Sequence, residues 1–170
     1  MITDSPVLLY VDDNRDDIVL MEAAVRMAEI PFSLRTFTTI TAATAYLTGQ
    51  GDFADRTIHP FPKLVLLDYH LGGITSTEAL PELRKLPECG ALPFVIFSGS
   101  ESGDGLNGSE QAGSEHFLVK PSGLHRLEFI VKALYDCANS TPPCCLALRA
   151  LPEYQRCAAP ARDTHSLAAA

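Results

Sequence analysis

Short apolar runs alternate with amphipathic segments over most of the chain, and this alternation restricts the possible folds more than any other feature. Five runs rich in Val, Leu, Ile and Phe predict strands, and the first and third of them have the continuous apolar character of strands that are covered on both faces. These runs are 7–11, 32–37, 64–67, 94–97 and 116–119. Apolar residues at helical spacing follow the first three runs and the last one. Strands that alternate with helices predict a parallel sheet with helices on both faces.

The segment between the fourth and fifth runs is rich in glycine. Gly103, Gly105 and Gly108 fall within six residues. Each glycine in a helix interior costs about 1 kcal/mol relative to alanine. We therefore expect only a short or poorly ordered helix in Ser100–Ser114.

The character of the chain changes after residue 139. Pro142-Pro143 is followed by a stretch that contains Ala and Cys and ends in three alanines. We predict a single domain over residues 1–139, which agrees with a total length of 170 residues. Residues 140–170 are predicted to form a largely disordered tail, with one turn of helix around Leu146–Leu151.

The charge balance excludes several classes of partner. The formal net charge is −8, and no run of Lys or Arg occurs. Both features argue against nucleic acids and anionic membranes as partners. No apolar run reaches the roughly 20 residues that span a bilayer, and the first residues lack the pattern of a signal peptide. We expect a cytoplasmic protein.

The chain contains five cysteines, and none of them forms a C-x-x-C pair. In a reducing compartment such cysteines are expected to remain free thiols. They are Cys89, Cys137, Cys144, Cys145 and Cys157.

Polar side chains stand at the carboxyl ends of four of the predicted strands. Asp12 and Asp13 follow the first strand, and Asp68 follows the third. Ser98 follows the fourth strand and Lys120 the fifth. Ligands of parallel α/β sheets bind beyond this edge of the sheet. The sequence therefore predicts one site made of three carboxylates, a hydroxyl and an ammonium.

This set of groups is suited to phosphoryl transfer. Clustered carboxylates repel one another unless a cation lies between them, and Mg²⁺ accepts both carboxylate and phosphate oxygens. An aspartate such as Asp68 can act as a nucleophile and form an acyl phosphate. The ammonium of Lys120 and the hydroxyl of Ser98 could neutralise the phosphoryl oxygens together with Mg²⁺.

At these residues the sequence resembles the response-regulator receiver family, over residues 6–138. The motifs are Val11-Asp12-Asp13-Asn14, Leu66-Leu67-Asp68, Phe97-Ser98-Gly99 and Phe117-Leu118-Val119-Lys120-Pro121. Ser98 and Lys120 are 22 positions apart, as is usual in the family. The long loop Gly49–Pro62 resembles that of stand-alone receivers which partner phytochrome-type and related histidine kinases.

The resemblance implies a fold and a metal site. The fold would be flavodoxin-like, a doubly wound five-stranded parallel sheet with strand order 2-1-3-4-5. Asp68 would be the phospho-acceptor, and Asp13 a direct Mg²⁺ ligand. Asp12 would assist through water, and the backbone carbonyl of His70 would complete the site.

The resemblance also implies a signalling role. Lys120 would bind the phosphoryl group, Ser98 would turn inward to it, and Phe117 would be an aromatic switch. The donor would be a histidine kinase or a phosphotransfer protein, and a downstream protein would read the altered surface. The chain would not be an enzyme that acts on an outside metabolite. Self-association into a homodimer is left open.

Two positions depart from the family pattern. Gly72 stands where the family commonly has Pro, four residues after the acceptor, and Ser76 stands where it commonly has Gly. These two differences are expected to affect the conformation of the turn over residues 70–77, although Gly72-Gly73 can still make a tight turn.

Three other functional interpretations compete with that of a phosphorylated receiver. A phosphatase of the haloacid-dehalogenase type needs Asp-x-Asp-x-Thr, whereas Asp68 is followed by Tyr69-His70-Leu71-Gly72, without a second acid. A degenerate, non-phosphorylated receiver that acts as an interaction module is disfavoured because all the chemical positions are kept. A DNA-binding regulator would need a helix-turn-helix, and residues 140–170 do not resemble one.

Overall fold

The computed structural model describes residues 5–99, 116–140 and 145–155. Five parallel strands make up most of its six-stranded sheet: β1 (Val7–Val11), β2 (Ser33–Phe37), β3 (Leu64–Asp68), β6 (Phe94–Ser98) and β7 (His116–Val119). Their order is β2-β1-β3-β6-β7, which is the 2-1-3-4-5 order expected for the flavodoxin-like fold. The helix expected within Ser100–Ser114 lies outside the described residues.

Four helices accompany these strands. They are α1 (Arg15–Met27), α2 (Ile40–Thr48), α3 (Ser76–Arg84) and α4 (Leu124–Asn139). The Asn14 side chain caps α1 by accepting from the Asp16 N–H at 3.0 Å. α2 ends at Gly49, whose φ of +65° is accessible to glycine without strain. In the described parts of the chain, no helix combines the length and apolar character that a bilayer crossing requires.

The sheet separates two hydrophobic layers. Alternate strand residues point to opposite faces, so Leu8 and Leu66 pack with α1 and α4, whereas Leu9 and Leu67 pack with α2 and α3. All residues of β1 and β3 are buried. This double cover is the reason why the strands have continuous apolar sequences.

A short antiparallel hairpin joins the end of β3 to α3. It consists of β4 (His70–Leu71) and β5 (Ile74–Thr75). Its two turn residues, Gly72 and Gly73, have φ of +59° and +98°. Both values lie in the region that favours glycine, so the Gly-Gly pair makes the tight turn that the sequence allowed.

Residues 145–155, which lie in the predicted tail, pack against the domain, whereas residues 141–144 and 156–170 lie outside the described residues. Residues 145–155 contain the expected helical turn, at Leu146–Arg149, and an eighth strand, β8 (Tyr154–Gln155), which pairs antiparallel with β7. Leu148 is fully buried in the layer that α1 and α4 cover. Burial of this apolar side chain offsets the entropy lost on ordering the segment.

The prediction of free thiols is wrong for one pair, because Cys137 and Cys145 form a disulfide. Cys145 lies beside the last turn of α4, and the Cα–Cα distance between the two cysteines is 4.7 Å. Sequence spacing did not reveal this approach because it depends on how residues 145–155 pack against the domain. Among the described cysteines, Cys89 is a buried free thiol.

Candidate functional site

Strand register brings the expected site residues to one edge of the sheet. Val11 pairs with Leu67, so Asp12 and Asp68 end neighbouring strands. Ser98 pairs with Val119, and the Lys120 N–H donates to the Ser98 carbonyl at 2.6 Å. The strand ends therefore bring together groups that lie more than 100 positions apart in the chain.

The ammonium of Lys120 lies among three carboxylates. Its Nζ is 2.5 Å from Asp68 Oδ1, 2.7 Å from Asp12 Oδ2 and 2.8 Å from Asp17 Oδ2. The Lys120 side chain is only 16% exposed, so water screens these pairs weakly. The same ammonium lies 5.8 Å from the centre of the Phe97 ring.

Asp17 is a member of this cluster that the sequence analysis missed. The acid occurs in the first turn of α1, where a favourable interaction with the helix dipole accounts for it. Its contact with Lys120 depends on how α1 packs over the end of the sheet. No local sequence signal distinguishes Asp17 from its neighbour Asp16.

Tyr10 is a second missed member. Its hydroxyl donates to Asp12 Oδ2 in the interior of the protein. Asp12 Oδ1 in turn accepts from the Asn14 N–H at 2.9 Å. A signal was present in the sequence: Tyr10 lies two residues before Asp12 in a strand of otherwise aliphatic residues, and such positions share one side of a strand.

The remaining acids are held by backbone groups of the hairpin. Asp68 Oδ2 accepts from the His70 N–H at 2.9 Å, and Asp13 Oδ2 accepts from the Gly72 N–H at 2.9 Å. Asp13 is exposed, whereas Asp12 and Asp68 are buried. The hairpin thus contacts two of the three carboxylates at the strand ends.

Ser98 and Phe117 lie in the interior. Ser98 is 3% exposed at the end of β6, and Phe117 is fully buried in β7. Phe117 lies opposite Ile96 in the register of β6 and β7. An aromatic switch would alternate between a buried and an exposed position, and in this structure Phe117 is in the buried one.

Burial and charge act in opposite directions on the two central groups. Burial raises the pKa of the Asp68 carboxyl, and Lys120 opposes that rise. For Lys120, burial lowers the pKa, but the carboxylates of Asp12, Asp17 and Asp68 outweigh burial and raise it. Lys120 is therefore an ammonium ion throughout the physiological pH range.

The acids at the strand ends fit a divalent cation. One carboxylate oxygen from each of Asp12, Asp13 and Asp68 can be chosen so that all three lie within 4.8 Å of one another. Oxygen donors at this spacing suit Mg²⁺, which is a hard cation. Asp13 combines exposure with a single described donor, so it is the most accessible of the three.

Comparison with known proteins finds response regulators. No protein-family model matches the chain. The response regulator Rcp1 of Synechocystis sp. (strain ATCC 27184 / PCC 6803 / Kazusa) is 27% identical over 128 residues, covering 75% of this chain and 85% of Rcp1. The structure of its Mn²⁺-bound form superposes with a TM-score of 0.63 over 76% of this chain and 91% of Rcp1.

Two further solved structures are similar. The phosphorylated cyanobacterial phytochrome response regulator RcpA is 28% identical with a TM-score of 0.69, over 81% of this chain and 96% of RcpA. Response regulator RPA3017 in red light signaling of R. palustris is 25% identical with a TM-score of 0.70, over 76% of this chain and 91% of its own. The predicted resemblance is thereby confirmed: the chain is similar in sequence and in fold to single-domain receivers of the response-regulator family.

Proposed function

We propose that the protein accepts a phosphoryl group on Asp68, with Mg²⁺, from a phosphohistidine of a histidine kinase or phosphotransfer protein. The observation that carries the proposal is the 2.5 Å contact between Lys120 Nζ and Asp68 Oδ1 at the centre of an acidic cluster. Burial raises the pKa of the Asp68 carboxyl, the Lys120 ammonium favours its ionised form, and the same ammonium can meet the incoming phosphoryl oxygens.

The transfer forms one bond and breaks another. A carboxylate oxygen of Asp68 forms a P–O bond while the P–N bond of the donor breaks, and the electron pair of that bond stays on the imidazole nitrogen. The His70 N–H at Asp68 Oδ2 orients the carboxylate so that its second oxygen faces Lys120. The ammonium of Lys120 then contacts the transferred group, and the hydroxyl of Ser98 can rotate to donate to it.

A bound divalent cation would neutralise charge on the phosphoryl oxygens. Asp13 and Asp68 would hold it directly, Asp12 through water, and the backbone carbonyl of His70 would add a fourth ligand. Rcp1, a similar response regulator, has been solved with Mn²⁺ bound, which supports a divalent-cation site in this chain.

The output is a changed surface for a downstream protein rather than turnover of an outside metabolite, so we do not class the protein as an enzyme. We place it in the cytoplasm, without a nucleic-acid or membrane partner, and leave a homodimer open. The similar structure of RcpA is that of a phosphorylated phytochrome response regulator. It supports both the phosphorylation of this chain and a photoreceptor kinase as the phosphoryl donor. The comparisons do not favour a haloacid-dehalogenase phosphatase.

Acetyl-phosphate labelling tests the proposal. Intact mass spectrometry should show one added phosphoryl group on the wild type in MgCl₂, and none after EDTA treatment or in Asp68→Asn. Asp136→Asn is the matched control, because Asp136 is an exposed aspartate on α4 and should label normally. Undiminished labelling of Asp68→Asn would refute the assignment of the acceptor. A wild type that binds Mg²⁺ by calorimetry but is never labelled would instead indicate a degenerate receiver.

A further inference from the structure

The surface between α2 and α3 contains an apolar groove away from the acidic cluster. Its cavity volume is about 360 Å³, at the lower end of the roughly 300–1,000 Å³ of ligand pockets. Ile40 of α2 lines one side, and Leu83 and Leu86 line the other. Ile74, directly after the hairpin turn, also lines the groove and is 44% exposed. Ile40 and Leu86 are half-buried and Leu83 is buried, so Ile74 is the most exposed of these apolar side chains.

The charge around the groove identifies the chemistry of that partner. Glu78 and Glu82 lie one helical turn apart on α3 and both line the groove, whereas no basic residue among the described ones does so. Both glutamates are exposed; Glu82 forms a surface ion pair with Lys85 at 2.6 Å and Glu78 accepts hydrogen bonds from Thr75, so the cations of a partner would join or replace these contacts. Hydrogen bonds from Thr75 lower the pKa of Glu78, so its carboxylate is ionised at neutral pH. The net charge of −8 further disfavours a second copy of this chain as the occupant.

We propose that this groove binds an amphipathic helix of a partner protein, with an apolar face in the groove and Lys or Arg opposite Glu78 and Glu82. A groove between two helices suits a helix that inserts apolar side chains at helical spacing. Opposite charge at the rim would select the partner and fix its orientation.

The hairpin connects the groove to the acidic cluster. Ile74 lines the groove, and Gly72 on the opposite side of the turn donates to Asp13 Oδ2 at 2.9 Å. The Ser76 N–H, at the start of α3, donates to the Tyr69 carbonyl at 2.9 Å, directly after Asp68. A change in what Asp13 or Asp68 binds therefore acts on the segment that lines the groove. This coupling rests on the proposed function, and it is reciprocal.

The experiment uses a fluorescein-labelled helical peptide with leucines on one face and lysines on its flanks, and measures anisotropy with the full-length protein. A peptide with glutamate in place of lysine is the first control, and it should bind more weakly. Ile74→Ser should weaken binding of the basic peptide about tenfold through lost apolar contact. Glu82→Lys should weaken it roughly fivefold, as expected when a rim charge is reversed.

Two matched variants test whether these losses are local. Ile58→Ser alters an isoleucine that is 60% exposed but lies outside the groove, and Asp136→Lys reverses an exposed acid on α4. Both should bind the peptide as the wild type does. Equal binding of the two peptides, or unchanged binding by Ile74→Ser and Glu82→Lys, would overturn the assignment of the groove.

The coupling between the acidic cluster and the groove is tested by a separate measurement. MgCl₂ with acetyl phosphate should change the affinity of the wild type for the basic peptide and leave that of Asp68→Asn unchanged. If mass spectrometry shows labelling but the affinity stays constant, the coupling through the hairpin is refuted. If no labelling occurs while the groove variants still lose binding, the groove stands and the proposed phosphoryl transfer fails.

Discussion

Lys120 Nζ lies 2.8 Å from Asp17 Oδ2, and this ion pair joins the end of the sheet to α1. The two residues are separated by 103 positions in the chain. Asp17 is 30% exposed, whereas Asp12, the neighbouring partner of Lys120, is 1% exposed. Asp17 is therefore the solvent-facing member of the group of acids around Lys120, whose other two members are buried.

Removing the cation should cost more stability than removing this outer acid. Lys120→Met should lower the free energy of unfolding by roughly 3 kcal/mol, because Asp12 and Asp68 remain as buried charges without their counter-ion. Asp17→Asn should cost less than about 1 kcal/mol, since Lys120 keeps two carboxylate partners. Urea unfolding measures both values.

A control and a rescue sharpen that comparison. Lys85→Met breaks an exposed pair with Glu82 and should change stability by less than about 0.5 kcal/mol. MgCl₂ should restore part of the stability of Lys120→Met, because a divalent cation can replace the missing positive charge. A Lys120→Met protein as stable as the wild type without Mg²⁺ would contradict the role of Lys120 as counter-ion.

The Tyr10 hydroxyl should contribute measurably to stability. Tyr10→Phe removes a donor to the buried carboxylate of Asp12 and should cost about 2 kcal/mol, as is typical of hydrogen bonds to charged groups. Tyr46→Phe is the matched control, because the Tyr46 hydroxyl donates to the neutral Pro60 carbonyl at 2.7 Å and should cost only about 1 kcal/mol. Equal losses in the two variants would mean that Asp12 does not depend on Tyr10.

The pair between Arg126 and Glu153 should make the docking of residues 145–155 depend on pH. Burial raises the pKa of Glu153, but the hydrogen bonds and charge of Arg126 outweigh it and place that pKa below its ordinary value. The contribution of Glu153 to stability is therefore present above the pKa of the unfolded chain, about 4.3, and is lost as pH falls through the folded pKa.

Thermal unfolding of Glu153→Gln across pH tests this dependence. The variant should melt below the wild type at pH 7, and the difference should shrink in acid as Glu153 of the wild type becomes protonated. Glu82→Gln, which alters an exposed pair, should show little difference at either pH. A gap between Glu153→Gln and wild type that stays constant into acid would argue that the lost contact is not ionic.

The disulfide between Cys137 and Cys145 should stabilise the same segment. Reduction removes a cross-link that closes a short loop, and the chain-entropy relation gives roughly 2–3 kcal/mol for a loop of this size. Dithiothreitol should therefore lower the melting temperature of the wild type but not that of Cys145→Ser. Equal sensitivity of both proteins to dithiothreitol would assign the effect to another group.

The sheet and the strand-end chemistry were accessible from the sequence because both follow from local patterns. A continuous apolar run such as 64–67 indicates a strand covered on both faces, and the polar residue directly after it must lie at the carboxyl edge of a parallel sheet. Asp68 and Lys120 could be placed together in this way without knowledge of any contact.

Tertiary packing alone decided the rest. Asp17 meets Lys120 only because α1 lies over the sheet edge, and Cys145 meets Cys137 only because residues 145–155 pack against α4. The order of residues 145–155 likewise depends on the pocket that receives Leu148. Periodicity and spacing report which face of an element is apolar, whereas these contacts depend on how separate elements meet, and a single sequence carries no local signal for that.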